Sequence, residues 1–288
     1  MSTPTDGPLV SVVLPAFNAA RFLADSVASV AAQTHRAVEL LIVDDGSSDN
    51  TVRVAEELAA RDQRMRVIRS PTHVGTSAAR NLALAEMRGD YVCFLDADDA
   101  FLPNKIEIQL AFLRANPSCG LVFSDVYHSN ADLRPIRVHR TGLPPLSFPE
   151  LLTLRNWFAP IVPMLTRSLV QCVGPFDENL VPAEDWDYWI RCAQVTPFGY
   201  LPGPVAIYRE HRDQTSRQSD RIRIAQERLI EKHFGRTHRI YARARAARHL
   251  AAARNSKRQP LVVVRELARF ARALPDWRDV PVLLRVVQ

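Results

Sequence analysis

Tyr91-Val92-Cys93-Phe94-Leu95 runs straight into Asp96-Ala97-Asp98-Asp99. The first segment reads as a short buried β-strand, and the second sets three carboxylates where that strand ends. Like charges so close repel, and the cluster costs free energy unless a positive group neutralises it. A hard divalent cation, liganded by oxygen and itself holding a phosphate, meets that need. A solvated acidic turn that caps the next element is the plain alternative. The strand end alone leaves both open.

Upstream, strand and helix patterns alternate. Residues 9–14 are rich in β-branched side chains and end at Pro15; residues 38–43 form a second apolar run ending at Asp44-Asp45-Gly46, and residues 65–68 a third. Between them, Phe22, Leu23, Val27, Val30 and Ala31 recur at helical spacing, predicting a helix over 19–33. Helices are also expected over 51–60, capped by Asp49 or Asn50, and over 76–88, capped by Thr76 or Ser77 and stopped by Gly89. Such alternation predicts a parallel sheet flanked by helices. Ligands bind such sheets outside the carboxyl ends of the strands. Three polar segments fall there: Pro15-Ala16-Phe17-Asn18, Asp44-Asp45-Gly46-Ser47 and the acidic cluster.

No Gly-x-x-x-x-Gly-Lys-Ser/Thr loop and no Gly-x-Gly-x-x-Gly follows the first strand. A nucleotide held here needs another phosphate device, and a metal on Asp98 with help from Asp96 supplies one. Phe17 offers a ring for a nucleobase, or a core aromatic. Asp45 or Asp44 offers an acceptor for a base N–H, or a cap shared with Ser47 and Asp49.

Two downstream segments add chemistry. In Ala183-Glu184-Asp185-Trp186-Asp187-Tyr188-Trp189-Ile190-Arg191, a helix pattern starts at Asp185, so Glu184 and Asp185 sit at its N-terminus. They either cap that helix or serve as a general base, since a helix N-terminus favours the ionised, proton-accepting carboxylate. Trp186 and Trp189 are candidates for an apolar wall against a sugar or lipid acceptor. In Tyr208-Arg209-Glu210-His211-Arg212-Asp213, the imidazole of His211 could complete a site begun by Asp98.

The chain has 288 residues, 47% apolar and 24% charged, with a net charge of +6. That composition suits a globular protein with a sizeable core. Cys93, Cys119, Cys172 and Cys192 form no Cys-x-x-Cys pair and read as small buried hydrophobes in a reducing compartment. No apolar run reaches spanning length, so a cytoplasmic location is expected. Residues 101–216 are less regular, with Pro-rich stretches. Residues 217–288 read as a basic helical extension, with helix breaks at Asn255-Ser256, before Pro260 and at Pro275. Its arginines suit a solvated face, an anionic partner or the inner face of a membrane.

Taken in order, these segments resemble the inverting glycosyltransferases of family 2, which have the GT-A fold. The likeness rests on Val-Ser-Val-Val-Leu-Pro-Ala-Phe-Asn (10–18), Val-Asp-Asp-Gly-Ser-Ser-Asp (43–49) and Gly75-Thr-Ser-Ala-Ala-Arg80-Asn81. Gly89-Asp90 with the Asp-Ala-Asp-Asp cluster, and Val173-Gly-Pro-Phe-Asp-Glu178 with Glu184-Asp185, complete it. The resemblance implies an α/β, Rossmann-like, mostly parallel sheet over residues 9–216; the polar residues 1–8 read as a disordered tail. Residues 9–110 would form the nucleotide-binding half and 111–216 the acceptor-side half.

The resemblance also implies roles. Pro15, Phe17, Asn18, Asp44, Asp45, Arg80, Asp96 and Ala97 would line the nucleotide pocket. Asp98, His211 and Asp96 would hold Mn2+ or Mg2+. Asp185 would be the catalytic base, with Glu184 the second candidate. The expected reaction moves a hexosyl group from a nucleoside-diphosphate sugar, UDP-linked, to a hydroxyl of a glycan or lipid-linked acceptor in cell-envelope polysaccharide synthesis. Alternatives are an inactive glycosyltransferase-like binding protein and a sugar-nucleotide pyrophosphorylase, which usually carries a Gly-rich loop absent here. Peripheral membrane contact through residues 217–288 and a homodimer are further expectations; nucleic acid is not an expected partner.

Overall fold

The computed structural model describes residues 7–142, 156–211, 214, 219–234, 242, 246, 249–250, 253 and 260–273. Contacts divide the chain into a first unit, residues 1–143 and 158–217, and a second, residues 144–157 and 218–288.

The first unit opens with β1 (Val10–Ala16), α1 (Leu23–Ala31), β2 (Val38–Asp44), α2 (Thr51–Ala59), β3 (Met65–Arg69), α3 (Thr76–Glu86) and β4 (Tyr91–Phe94). These four strands are parallel, β1 lying between β2 and β4 and β3 outside β2. Parallel strands covered on both faces read as unbroken apolar runs. Accordingly Val12, Leu14, Leu41, Ile42, Val92 and Phe94 are fully buried. β1 continues through Pro15, whose missing N–H costs no β1–β4 bond because that pairing ends at Val13 and Phe94.

The chain then forms β5 (Ala100–Phe101), α4 (Lys105–Ala115), β6 (Leu121–Ser129), β7 (Pro135–His139), β8 (Met164–Thr166), α5 (Arg167–Val173), α6 (Glu184–Val195) and β9 (Phe198–Arg209). The sheet order is β3-β2-β1-β4-β8-β6-β9-β5, with β7 paired to β6. β8 runs antiparallel to both β4 and β6, so the sheet is mixed beyond β4. β6 and β9 are again parallel, which returns the chain after β9 toward the acidic loop.

Several local expectations change. α1 starts at Leu23 because residues 19–22 form a separate turn, in which Ala19 O accepts from Phe22 N and Leu23 N. α3 stops at Glu86: Met87 is extended, and the N–H groups of Arg88 and Gly89 donate to Glu39 Oε1 instead. Its N-cap is Gly75, at φ +93, rather than Thr76 or Ser77; Ser77 Oγ donates to Asp177 O at 3.2 Å. Near the start of the described residues, the Pro8 carbonyl accepts from His35 Nε2 at 3.0 Å. All four cysteines are free, but only Cys93 and Cys192 are buried; Cys119 is half-buried and Cys172 exposed.

Within the second unit, α7 (Ser219–Phe234) buries Ala225, Leu229 and Ile230. α8 (Pro260–Ala273) begins at a proline, which suits the first helical turn because its missing N–H is unpaired there anyway. Glu266 is buried and accepts from His249 Nδ1 at 2.8 Å and Arg269 Nη1 at 2.6 Å. The breaks expected at Asn255-Ser256 and Pro275 lie outside the described residues. Among the described residues, no helix is long and apolar enough to cross a membrane.

Candidate active site

The ends of β1 and β2 face a common edge. Asp44 Oδ2 accepts from Ser47 N at 3.3 Å, closing the turn, while its buried Oδ1 has no hydrogen-bond partner. Asp45 reaches across to the loop before α3. Its carboxylate accepts from Val74 N at 2.7 Å and Gly75 N at 2.9 Å, and His73 Nδ1 lies 2.9 Å from Oδ2. Asn18, at φ +48, ties the two strand ends together: its Oδ1 accepts from Ser48 N at 2.9 Å and Asp49 N at 3.3 Å. Asp49 in turn accepts from Thr51 N at 2.9 Å, so it serves the start of α2, whose N-cap position is held by Asn50.

Phe17 is 44% exposed, which sets aside the core-aromatic reading. Its ring stacks on His73 at 3.9 Å between centroids. His73 lay outside the residues singled out from the sequence; its one sequence signal was its place at the end of the third strand, beside Gly75.

After β4 the acidic residues diverge. Asp96 faces Arg80, with Nη2 donating to Oδ1 at 2.9 Å. Asp98 faces His211, with Nε2 and Oδ2 2.8 Å apart. Asp99 turns inward, where its Oδ1 accepts from Arg209 N at 2.8 Å and its Oδ2 is buried without a hydrogen-bond partner. Burial, reinforced by the charges of Asp98 and Asp96, pushes the Asp99 carboxyl well above the usual range. Burial also raises Asp96, with Arg80 opposing it. Ala97 contributes its backbone: its carbonyl accepts from Ser26 Oγ at 2.8 Å, anchoring the turn to α1.

Arg209 organises this loop from below. The buried guanidinium donates to Asp98 O at 2.6 Å, Ala131 O at 2.7 Å and Asp25 Oδ2 at 2.8 Å, and lies over the Phe22 ring. It stands two residues before His211, whose ring also rests on Phe22 at 4.8 Å. Among the described residues, no group of three or more His, Cys, Asp or Glu side chains is gathered as a metal cage.

Glu184 opens α6, and Asp187 in the same first turn is fully buried, where Arg191 Nε donates to it at 2.9 Å. Glu184 Oε1 accepts from Arg80 Nη1 at 3.0 Å, and its buried Oε2 has no hydrogen-bond partner. Asp185 is half-buried and accepts from Trp186 N at 2.7 Å. The tryptophan wall expected here does not form. Trp186 is 3% exposed and Trp189 fully buried against Phe94 and Phe158, because α6 packs nearly its whole circumference into the core.

A Rossmann-like half-sheet joined through an antiparallel strand to a second half, with acids and an exposed aromatic at its strand ends, defines the GT-A architecture. Solved structures share it. S. aureus TarS 1–349 in complex with UDP-GlcNAc superposes with TM-score 0.66 at 20% identity, covering 93% of this chain and 82% of that one. The mannosyltransferase PcManGT of Pyrobaculum calidifontis, in complex with GDP-Man and Mn2+, gives TM-score 0.62 at 19% identity over 98% and 80% of the two chains. The chain belongs to glycosyl transferase family 2, whose model matches residues 11–168. A relative in Bacillus subtilis, the putative teichuronic acid biosynthesis glycosyltransferase TuaG, is 40% identical over 117 residues, 41% of this chain and 46% of TuaG. The chain thus spans about half the length of that curated relative, and 44% of the length of a relative in Haemophilus influenzae.

Proposed function

We propose that this protein is a metal-dependent inverting glycosyltransferase. In this reading it moves a sugar from a nucleoside-diphosphate donor to an acceptor hydroxyl. The observation that carries the proposal is the convergence, at one sheet edge, of Asp98 with His211 and of Asp96 with Arg80 and Glu184-Asp185. Family membership supports the reading, as do the UDP-GlcNAc, GDP-Man and Mn2+ complexes of the two structural neighbours. The relative named for teichuronic acid synthesis favours a cell-envelope glycan or lipid-linked acceptor.

Asp98 and His211 fit a divalent metal by donor chemistry. A carboxylate oxygen and an imidazole nitrogen already stand 2.8 Å apart, and a cation suits both. Mn2+ takes such a mixed pair more readily than Mg2+, which prefers oxygen alone. Asp98 and His211 would hold the ion, with Asp96 nearby; when bound, it neutralises charge on the departing diphosphate. Phe17 presents a face for the base, beside Pro15 and Asn18. Asp45 can accept a base N–H only in competition with the backbone donors of the 74–75 loop.

At the acceptor side, Asp185 removes the hydroxyl proton as the oxygen attacks the anomeric carbon. The bond from that carbon to the diphosphate oxygen breaks on the opposite face, and the configuration inverts. The Arg80 Nη1–Glu184 Oε1 bond favours Asp185 over Glu184 as the base. The test is diphosphate release from a panel of UDP- and GDP-sugars with Mn2+ and a mixed glycan and polyprenol-phosphate acceptor pool. Asp185→Asn should lose roughly 10²–10⁴ in turnover while donor binding persists. Full activity in that variant removes Asp185 from the role.

A further inference from the structure

Arg80 stands at the only place where the donor-side acids and the acceptor-side helix share one side chain among the described hydrogen bonds. Its side chain is 3% exposed. Nη2 donates to Asp96 Oδ1 at 2.9 Å and Nη1 to Glu184 Oε1 at 3.0 Å, partners 16 and 104 residues away in sequence. The guanidinium packs 5.4 Å from the centroid of the Phe176 ring. The charges of Asp96, Glu184 and Asp185 more than offset the burial that disfavours its cation.

The helix that carries Arg80 is itself pinned to the chain leading into α6. Asn81 Oδ1 accepts from Phe176 N at 2.8 Å, and its Nδ2 donates to Phe176 O and Glu178 Oε1, each at 3.0 Å. Ser77 Oγ donates to Asp177 O. Ser77 and Asn81 of α3 therefore grip the approach to Glu184, and Arg80 grips Glu184 itself. The guanidinium is nearly closed off from solvent, and both of its terminal nitrogens already donate to carboxylates.

We infer that Arg80 is a positioning residue rather than a donor-phosphate ligand: its planar fork fixes the Asp96 turn and the Glu184-Asp185 helix start at one separation. Glu184 is its anchor, and Asp185, the next residue, is thereby held toward the acceptor hydroxyl that attacks the donor's anomeric carbon. A lysine keeps the charge but presents one compact ammonium, which can satisfy one carboxylate and leaves the other adrift. Misplacement by about 1 Å costs on the order of 10²-fold in rate.

The inference rests on the glycosyltransferase reading, and the experiment separates the two. Steady-state kinetics on the best UDP- or GDP-sugar, with Mn2+ and the acceptor pool, are measured for wild type, Arg80→Lys, Glu184→Ala and Glu184→Gln. Thermal unfolding is run beside them. Arg80→Lys should lose about 10²-fold in kcat with a far smaller change in donor KM. Glu184→Gln keeps an oxygen for Nη1 to donate to, and should recover much of what Glu184→Ala loses. Should Arg80→Lys fail to fold, the Glu184 pair still decides the matter. Wild-type kcat in Arg80→Lys, a loss confined to donor KM, or equal losses in Glu184→Gln and Glu184→Ala would each overturn the inference alone. A wild-type protein that turns over no donor overturns the glycosyltransferase reading itself.

Discussion

Lys105 carries a charge that this fold disfavours. Its ammonium is fully buried in the first unit, where Nζ donates to Gln109 Oε1 at 2.6 Å and Val162 O at 3.1 Å, over the Phe101 ring. Burial lowers its pKa from 10.5 to about 8. Below pH 8 the folded protein must bury the cation. Between about 8 and 10.5 the folded side chain has released its proton while the unfolded one still binds it, so stability rises with pH. Set against Lys105→Met, chemical denaturation should show an extra gain in the wild type approaching about 3 kcal/mol across that window. Parallel pH profiles for the two proteins would show that Lys105 does not titrate there.

At the scale of elements, what could be read from the sequence depended on how local the cause was. β1, β2 and β4 announced themselves because strands buried on both faces are unbroken apolar runs. β7, whose residues are all exposed, and β8, with Met164, Leu165 and Thr166, carry no such signal; they are strands because β6 pairs with them. The three polar strand ends were legible for the same topological reason. The partners of their side chains were not. Asp45 looks like a cap for the next helix, yet its carboxylate serves Gly75, thirty residues on. The period of α6 marked a helix and one apolar side, but not that the other side is buried as well, which turned two candidate sugar platforms into core.

α8 carries its own prediction. Val264 and Leu267 are 66% and 43% exposed on a helix that also bears Arg265, Arg269 and Arg272. Exposed aliphatics beside a basic stripe suit the surface of an anionic bilayer. The full chain should float with vesicles containing phosphatidylglycerol. The double variant Val264→Asp, Leu267→Asp should bind at least about tenfold more weakly, since each aliphatic contributes roughly 1.5–3 kcal/mol on full burial. Equal flotation of the two proteins excludes α8 as the contact.

For the whole first unit, the mixed sheet explains why remote segments meet. Parallel β1, β2 and β4 deliver Phe17, Asp45 and Asp96 to one edge, and β9, parallel to β6, delivers Arg209 and His211 to the same loop. The acidic cluster after Leu95 then splits by role: Asp99 supports the loop from within, Asp96 joins Arg80, and Asp98 meets His211. If that last pair is the metal site of a nucleotide-sugar enzyme, nucleoside diphosphate binding requires both the metal and Asp98. Calorimetric titration of UDP and of GDP, with and without Mn2+, into wild type and Asp98→Ala tests this most directly. At least one nucleotide should bind the wild type only with Mn2+, and Asp98→Ala should bind neither. Failure of both nucleotides to bind the wild type with Mn2+, or undiminished binding by Asp98→Ala, would contradict it.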